Sequence, residues 1–195
     1  MNLGDYSGDS CLNDPSTCEL TVSFWAKILK NTRHRTLILG NKYDGSYTRG
    51  FSIYMEGHRL KGYVLGSEKL CYFHDYHYIV NHWFHFTMVW PSHNKRLVFK
   101  NGHLTARREC KSANGISFVE NGVYTIGADE TIVGDANKDF NVAFDELTIW
   151  YSQLSENDIS KFAKLAQGKI QFEHLHEKQL GMMKHSLSNI LIKLN

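Results

Sequence analysis

Short stretches of the chain alternate apolar and polar residues. The clearest is residues 20–28, in which Val22, Phe24 and Ala26 share one side of an extended chain. A period of two residues is typical of a β-strand with one buried face. Further β-rich stretches are residues 35–39, 51–55, 58–65, 83–90, 97–100, 103–107, 123–126 and 141–150. The pattern predicts a chain built mainly of strands.

Turn-forming pairs that contain glycine separate these strands. They are Asp44-Gly45, Glu56-Gly57, Asn101-Gly102, Asn114-Gly115 and Asn121-Gly122. Asn101-Gly102 is the strongest hairpin signal, because a type I′ turn needs positive φ at both central residues. No helical stretch lies between the strands. The predicted fold class is therefore all-β, a two-sheet antiparallel jelly-roll sandwich.

One helix is predicted after the strands, at residues 155–167. Ser155 and Asp158 have the spacing of a capping box, apolar residues follow at helical intervals, and a glycine comes next. We therefore predict a domain at residues 1–167 and a C-terminal tail at 168–195. The tail has apolar residues at roughly helical spacing, which leaves three interpretations: a helix that packs back, a linker to a following module, or a seam that forms a homodimer.

Composition and charge narrow the class of protein. The 195 residues include 22 Lys and Arg against 20 Asp and Glu, a formal net charge of +2, which predicts no nucleic-acid partner. No apolar run of about 18 residues occurs, so we predict no direct membrane insertion by this fragment. The first residues lack the apolar segment of a signal peptide, and we expect an excised part of a longer chain.

The chain has four cysteines. They allow two disulfides in three pairings, or four free thiols. Turn-forming residues lie between Cys11 and Cys18, which favours a short local disulfide and leaves Cys71 to pair with Cys110. Disulfides indicate an oxidising compartment, so the predicted location is the extracellular face of the plasma membrane, or secretion.

An acidic segment lies at residues 127–139, before the last predicted strand. Calcium is bound by six to eight oxygen atoms, and this segment is rich in carboxylates. We predict that it binds calcium together with an earlier loop. The predicted metal ligands are Asp44, Asp129, Glu130, Asp135 and Asp139, with Asn41 and Asn137 as further donors. The alternative is a solvated acidic loop without a metal.

Basic residues fall into four groups. They are Arg33-His34-Arg35, His58-Arg59 with Lys61, Lys95-Arg96, and Arg107-Arg108 with Lys111. If the sheets bring some of these groups together, they would bind a sulfated glycan or another polyanion. Solvated strand edges that block aggregation are the alternative interpretation.

Four of the eleven histidines, His74, His77, His82 and His85, have a spacing that suggests zinc. On a helix, residues three apart share a face. This region is predicted to be loop and strand, where such residues point to opposite sides, which argues against a zinc site.

The sequence offers little support for catalysis. It has no G-x-S-x-G, P-loop or HExxH motif. A hydrolase on a β-sandwich needs two carboxylates that flank one glycosidic bond. Asp145 and Glu146 are adjacent and would face opposite sides of a strand, so we interpret them as structural.

Taken in order, these features resemble the pentraxin and laminin-G-like superfamily. The matching segments are residues 11–18, 21–27, 83–90, 98–102, 143–150 and 154–159. The resemblance covers residues 5–167 and is greatest to the N-terminal pentraxin-like domains of adhesion G-protein-coupled receptors. It implies a concanavalin-like jelly roll, an extracellular location and a role in adhesion or ligand recognition.

The pentraxin signature His-x-Cys-x-Ser/Thr-Trp is altered in this chain. His85 and Trp90 remain, but Thr87 stands in the place of the cysteine, and its partner cysteine aligns with Ser23. The resemblance therefore implies that both halves of that disulfide are absent together. Pentraxins also hold calcium with a loop similar to residues 127–130, which supports the predicted metal site. Phosphocholine recognition is not implied, because the second half of that loop does not align.

The predicted function is a non-catalytic recognition or adhesion module of a cell-surface receptor that binds an extracellular protein or glycan ligand, assisted by calcium. Two alternatives remain. One is a carbohydrate-active hydrolase on the same fold, and the other is a structural spacer that dimerises through its tail.

Overall fold

The alternating stretches of the sequence form the strands of a two-layered sandwich. The structure is a computed structural model, and it describes residues 2–5, 10–15, 18–30, 32–41, 47–92, 95–119, 123–127 and 142–165. In these ranges the chain is mostly β, with two antiparallel sheets and a short helix after the last strand. The predicted fold class is confirmed.

The described residues form fourteen strands and two helices. In chain order they are β1 (Asn2–Asp5), α1 (Ser10–Asn13), β2 (Leu20–Ile28), β3 (Thr32–Asn41), β4 (Tyr47–Thr48), β5 (Gly50–Gly57), β6 (Arg59–Leu65), β7 (Lys69–His77), β8 (Trp83–Ser92), β9 (Lys95–Lys100), β10 (His103–Glu109), β11 (Lys111–Ser112), β12 (Phe118–Val119), β13 (Val123–Ile126), β14 (Val142–Trp150) and α2 (Glu156–Leu165).

The strands are arranged in two main sheets. One has seven strands in the order β1-β13-β3-β5-β6-β7-β11, and the other has five in the order β10-β9-β8-β2-β14. Neighbouring strands in both sheets are antiparallel. Strands β4 and β12 form a separate parallel pair. Consecutive strands are neighbours in β5-β6-β7 and β8-β9-β10, so short turns set much of the register.

The facing sides of the two sheets form the main core. Val22, Phe24 and Ala26, which the alternation places on one side of β2, are fully buried in it. Phe24 packs against Phe86 and Phe144, with ring centroids 5.1 and 5.6 Å apart. Such aromatic pairs contribute about 0.5–1.5 kcal/mol beyond the area that they bury. The predicted buried face of this strand is confirmed.

The outer side of β2 is buried as well, which the alternation does not predict. Thr21, Ser23 and Trp25 are at most 7% exposed. Helix α2 and the segment before it pack on this side of the five-stranded sheet, where Ile159 joins a second apolar cluster and Leu154 N donates to Thr21 Oγ1 at 3.2 Å. The expectation of one buried face is wrong for this strand, because a strand beneath a helix is covered on both sides.

Helix α2 begins where the sequence predicts. Ser155 Oγ accepts a hydrogen bond from Asp158 N at 3.1 Å, which caps the helix, and donates one to Asp158 Oδ2 at 2.6 Å. The described helix ends at Leu165. Its predicted last residues and the tail at 168–195 lie outside the described residues. None of the helices that the structure describes is long and apolar enough to span a membrane.

The turn between β9 and β10 has the predicted conformation. Asn101 and Gly102 have φ values of 49° and 79°, as a type I′ turn requires. Gly102 also lies against α2, where an added Cβ would be 2.9 Å from Ser160 Cα and 3.0 Å from Ala163 Cβ. Glycine is therefore required at this position both by the turn and by the close approach of the helix.

Strand β7 is not among the predicted strands. It pairs with β6 and contributes Cys71 and Phe73 to the main core. The strand also contains a lysine, two histidines and an aspartate, which obscure the alternation in the sequence. Pairing with a neighbouring strand, rather than the local pattern, explains why this segment is extended.

Candidate functional site

Both predicted disulfides are present. Cys11 bonds to Cys18 and Cys71 bonds to Cys110, with Cα atoms 5.6 and 4.5 Å apart. Cys71 lies on β7 of the seven-stranded sheet, whereas Cys110 directly follows β10, the edge strand of the other sheet. Cys110 also directly precedes β11, which pairs with β7, so the second disulfide lies where the chain passes from one sheet to the other, beside an exposed edge.

The predicted calcium ligands lie outside the described residues. These are Asp44, Asp129, Glu130, Asp135 and Asp139, and the further donor Asn137. In the described ranges, no three His, Cys, Asp or Glu side chains form a group that would hold a metal ion. The calcium site remains a prediction.

Asn41 is the one predicted calcium donor that the structure describes. It is fully buried at the end of β3, where its Nδ2 donates to Arg49 O and its Oδ1 accepts no hydrogen bond from the described residues. A buried amide oxygen of this kind is chemically suited to calcium. However, β13 runs antiparallel to β3 and pairs Tyr124 with Asn41. Residue 41, at the end of β3, and residue 127, just after β13, therefore lie at opposite ends of this strand pair.

The histidines considered for zinc differ in their surroundings. His77 and His82 are exposed, and His82 Nδ1 donates to Val80 O at 3.0 Å. His85 is only 3% exposed. The side chain of His74 lies outside the described residues. Of the histidines whose side chains are described, His77 and His82 are therefore surface residues and His85 is a buried one.

His85 belongs to a buried polar cluster on the outer side of the five-stranded sheet. Ser23 Oγ lies 2.8 Å from His85 Nε2 and 3.0 Å from Thr87 Oγ1, and the Trp25 and His85 rings are 5.2 Å apart. Ser23 and Thr87 are direct partners in the β2–β8 register. They occupy the positions at which the resemblance places the two pentraxin cysteines. A pair of hydrogen-bonded hydroxyls therefore stands in place of that disulfide.

The Ser23 and His85 pair is not placed for nucleophilic catalysis. Burial lowers the pKa of His85 to about 4, so the imidazole is neutral at physiological pH and is a potential base. Ser23, however, is only 3% exposed. Because a substrate has no access to this hydroxyl, we interpret the cluster as structural.

Asp145 and Glu146, the carboxylates considered for a hydrolase, lie at an irregular point of β14. The register shifts between Asp145 and Thr148, and Glu146 has a φ of +52°. The strand is not regular at this point, so alternation alone does not assign the two carboxylates to opposite sides. Asp145 Oδ1 accepts a hydrogen bond from Glu146 N at 2.9 Å, which supports a structural role. Partial burial, followed by the charge of Asp145, raises the pKa of Glu146.

Two of the four basic groups come together at one edge of the sandwich. Strands β9 and β10 form a hairpin in which Arg108 is paired with Arg96. We call this surface the basic edge, and it consists of Lys95, Arg96, Arg107, Arg108 and Lys111. All of these residues except Arg96 are exposed. Arg107 Nη2 lies 3.5 Å from Glu156 Oε1, a solvent-exposed ion pair of little energetic weight.

The other two basic groups lie around the β5–β6 turn. Thr32 pairs with Gly57, which brings residues 33–35 towards this turn. His58 and Arg59 are exposed there, and Lys61 forms an ion pair with Glu56, with Nζ and Oε2 2.5 Å apart. The side chains of residues 33–35 lie outside the described residues. The four groups therefore form two surfaces rather than one.

Arg96 is the most unusual residue of the basic edge. Its side chain is 3% exposed, its guanidinium lies 5.5 Å from the centre of the Phe73 ring, and its Nε and Nη1 have no hydrogen-bond partner in the described part of the chain. Burial, and then the charge of Arg108, lowers its pKa to about 10, so it remains a cation at neutral pH. Burying a cation without hydrogen bonds is costly, and a negative charge held at the surface beside it would lower that cost.

Sequence reasoning finds the basic groups but misses the burial of Arg96. The missing signal is present in the sequence, because alternation along residues 95–100 places Arg96 on the same side as Val98. Val98 belongs to the main core. An arginine on the core side of a strand is unusual, since charged side chains are rarely buried without a partner.

The fold and the sequence together identify the family. The chain belongs to the concanavalin A-like lectin/glucanases superfamily, whose laminin-G-type sequence model matches residues 6–160. The expected laminin-G-like resemblance is confirmed at this level. A search of curated proteins finds no significant match.

Solved structures with the same fold include receptor-binding domains of botulinum neurotoxins. The domain of neurotoxin D is 17% identical with a TM-score of 0.59, and the match covers 76% of this chain and 37% of that chain. The binding domain of neurotoxin DC, solved in complex with rat synaptotagmin II, is 15% identical with a TM-score of 0.57 and coverages of 80% and 37%. Identity this low shows a shared fold alone. This chain spans little more than a third of the length of these structures.

A further similar structure concerns botulinum neurotoxin type C, whose cell entry depends on interaction with two ganglioside molecules. It is 18% identical, with a TM-score of 0.58, and the match covers 76% of this chain and 36% of that chain. The structural neighbours thus include domains that bind protein and glycolipid ligands.

Proposed function

We propose that this chain is a non-catalytic extracellular recognition module that binds an anionic glycan at its basic edge. The observation that carries the proposal is the group of exposed cations Lys95, Arg107, Arg108 and Lys111, in which Arg108 is paired with the buried cation Arg96. A sulfate or carboxylate group offers paired oxygen acceptors to an exposed guanidinium such as that of Arg108. Such a group would also relieve the repulsion between the two arginines.

The remaining cations of the basic edge support a glycan rather than a small ion. Lys95, Arg107 and Lys111 are exposed around the arginine pair. A polyanion with charges spaced along its length would contact several of them at once, which raises affinity and the association rate. A neurotoxin whose cell entry depends on two ganglioside molecules has this fold in the 36% of its chain that matches, which supports a glycan as the class of ligand.

The module is further proposed to be pentraxin-like and to belong to a cell-surface receptor. The two disulfides support an oxidising, extracellular setting. The pairing of Ser23 with Thr87 at the positions of the pentraxin cysteines supports the finer resemblance to adhesion-receptor domains. A protein ligand at the same edge is the alternative, and the similar neurotoxin DC structure is a complex with a protein, rat synaptotagmin II.

Calcium remains part of the proposal. If bound, it would order the acidic segment at residues 127–139 through oxygen ligands. In the described part of the chain, the unsatisfied Oδ1 of Asn41 is the group that fits this chemistry.

Binding of size-defined heparin fragments tests the glycan site. The wild-type chain is compared by calorimetry with Arg96→Met, Arg96→Lys and the double variant Arg107→Ala/Arg108→Ala. We expect the double variant to bind about tenfold more weakly or worse, since each lost charge-assisted contact contributes about 1.5–3 kcal/mol. Arg96→Met should lose less, because it removes only the charge of a buried group whose donors do not reach the ligand. Arg96→Lys should bind like the wild type, because lysine keeps that charge.

The matched control removes two exposed lysines of helix α2, Lys161→Ala/Lys164→Ala. It changes the net charge as much as the double arginine variant does. Equal losses in both double variants would mean that heparin senses only net charge, and the proposed site would then be wrong. Release of reducing ends from oligosaccharides, abolished by Glu146→Gln, would instead establish the hydrolase alternative.

A further inference from the structure

A small apolar patch protrudes at one end of the five-stranded sheet. We call it the apolar tip, and it consists of Leu29, Ile79 and Trp83, which are 41%, 65% and 45% exposed. Asn81 N donates to Ile28 O at 2.8 Å, and Trp83 is paired with Lys27, so the end of β2 and the start of β8 lie side by side. Leu29 directly follows β2, and Ile79 lies in the segment that leads into β8. Exposed leucine, isoleucine and tryptophan side chains that cluster in this way indicate an interaction site.

Cationic side chains surround the apolar tip. Lys27 Nζ lies 5.8 Å from the centre of the Trp83 ring, and Lys30 is exposed beside Leu29. Behind the tip, His77 is paired with Arg59, which is exposed, and accepts a hydrogen bond at its carbonyl oxygen from Lys100 Nζ at 2.6 Å. This end of the domain thus combines a few protruding apolar groups with a ring of positive charge.

Two described carboxylates lie near these cations. Glu56 is paired with Arg59 in the β5–β6 register and forms an ion pair with Lys61, and Asp145 is paired with Trp25, two residues before Lys27. Lys27 and Lys30 lie directly beside the apolar groups, and their charge favours an anionic surface over a neutral one.

We infer that the apolar tip docks onto an anionic lipid bilayer. The side chains have the required order of polarity: isoleucine and leucine to enter the boundary of the acyl chains, tryptophan for the interface, and lysine and arginine for the headgroups. Lysine also suits this position because its alkyl stem lies along apolar surface while its ammonium stays in water.

The size of the patch favours a lipid over a second protein. Three partly exposed side chains offer a few hundred Å² of apolar surface at most. A stable protein interface needs about 800 Å² on each partner. A bilayer has no such requirement, because a few apolar groups and several weak headgroup contacts suffice for reversible binding.

Co-sedimentation with vesicles tests this inference on the full chain. Phosphatidylcholine vesicles are compared with vesicles that also contain phosphatidylserine. We expect binding to the anionic vesicles, a blue shift of tryptophan fluorescence, and quenching by lipids brominated on their acyl chains. The tip variant Ile79→Ser/Trp83→Ser should bind about tenfold more weakly or worse, and its exposed substitutions should leave the melting temperature nearly unchanged.

A matched variant at the basic edge separates this inference from the proposed glycan site. Arg107→Ala/Arg108→Ala should lose heparin and keep vesicle binding, whereas Ile79→Ser/Trp83→Ser should show the reverse. Vesicle binding that is lost with the edge variant and kept with the tip variant would overturn the inference. A wild-type dimer in light scattering that dissociates in the tip variant would also overturn it, because the patch would then be covered by a second copy.

Discussion

The basic edge and the apolar tip are both positively charged, but they place their cations in opposite settings. At the basic edge, Arg96 is buried with two donors that lack partners in the described residues, and its exposed neighbours are polar. At the apolar tip, Lys27 and Lys30 are at the surface and the unusual groups are the exposed Ile79 and Trp83. Positive charge therefore suits different ligands in the two places.

The contrast shows that charge alone does not identify a ligand. Exposed guanidinium groups, such as that of Arg108, favour ligands whose oxygen atoms match their paired donors. Surface cations around apolar side chains require only an anionic interface above a hydrocarbon core. The basic edge should therefore discriminate between anionic groups by geometry, whereas the apolar tip should respond to the density of negative charge.

The largest expected effect comes from the disulfide at the basic edge. Cys71 and Cys110 are 39 residues apart, and removing this cross-link by a double alanine substitution should lower the free energy of unfolding by about 4 kcal/mol. Because Cys110 directly follows β10, heparin affinity should fall even at temperatures where the variant remains folded. Vesicle binding by the apolar tip should be kept under the same conditions.

The short disulfide provides the control for that experiment. Cys11 and Cys18 are 7 residues apart, so their removal should cost only about 2.5 kcal/mol. Denaturant unfolding measures both costs. A larger loss from the short disulfide, or an equal fall of heparin and vesicle binding, would contradict the separation of the two surfaces.

Acidic pH should lower the free energy of unfolding through His85, which lies in the five-stranded sheet. His85 has a pKa of about 4 in the folded state against 6.5 for an ordinary histidine, so the unfolded chain binds more protons between these values. Stability from the neutral imidazole is complete above pH 6.5 and is lost as the pH falls towards 4, by an amount on the order of 3 kcal/mol. In the His85→Gln variant, the unfolding free energy should depend much less on pH over this range.

An NMR titration of the wild-type imidazole checks the same point without a variant. A His85 pKa near 6.5 would remove the predicted acid sensitivity. If the sensitivity is present, loss of either ligand below pH 6 must be corrected for the unfolded fraction before the two surfaces are compared.

Calcium would add a third surface to the comparison. The melting temperature in excess calcium should exceed that in chelator, because a ligand at 100 times its dissociation constant stabilises by about 2.7 kcal/mol. Asp129→Asn/Asp135→Asn should abolish the shift, whereas Asp145→Asn should keep it. An unchanged melting temperature in the wild type would remove calcium from the proposed function.

Arg96→Met should separate stability from binding. Without glycan, replacing a buried cation that lacks partners with an apolar side chain of similar length should raise the unfolding free energy by about 1 kcal/mol. The same substitution should weaken heparin binding, as described above. A destabilised variant would indicate that Arg96 has a structural partner, and the argument for an anion at the basic edge would fail.

The smallest expected difference is in the response to salt. Heparin binding at the basic edge should weaken steadily with ionic strength, because its contacts are electrostatic. Vesicle binding should weaken less, since burial of Ile79 and Trp83 is not screened by salt. Titrations of both ligands over the same salt series measure how steeply each affinity falls with ionic strength. Equal dependence on salt would mean that the two surfaces bind by the same kind of contact.

Much of the fold is predictable from local patterns. The alternation of Val22, Phe24 and Ala26, the cap at Ser155 and the type I′ turn at Asn101-Gly102 are each confirmed. Each of these features depends on residues that are close in sequence, so the sequence alone is sufficient to predict it. Strand β7 is missed because it is extended through pairing with β6 rather than through its own pattern.

The candidate sites are less predictable. The basic groups are visible in the sequence, but their register, which sets Arg96 beside Arg108, depends on the β9–β10 hairpin. The apolar tip escapes a search for apolar runs entirely, since its three members are up to 54 residues apart in the chain, from position 29 to position 83. A docking site built this way is compatible with a chain that has no long apolar segment.

The sequence by itself determined the class of fold, the two disulfide pairs and the separation of charge into distinct groups. These follow from alternation, turn chemistry and cysteine spacing, which act over short distances along the chain. Only the tertiary structure decided which groups meet, which of them are buried, and that Ser23 and Thr87 stand as a hydrogen-bonded pair. Burial and pairing depend on how distant strands pack together, and that packing is what gives Arg96 and Trp83 their opposite surroundings.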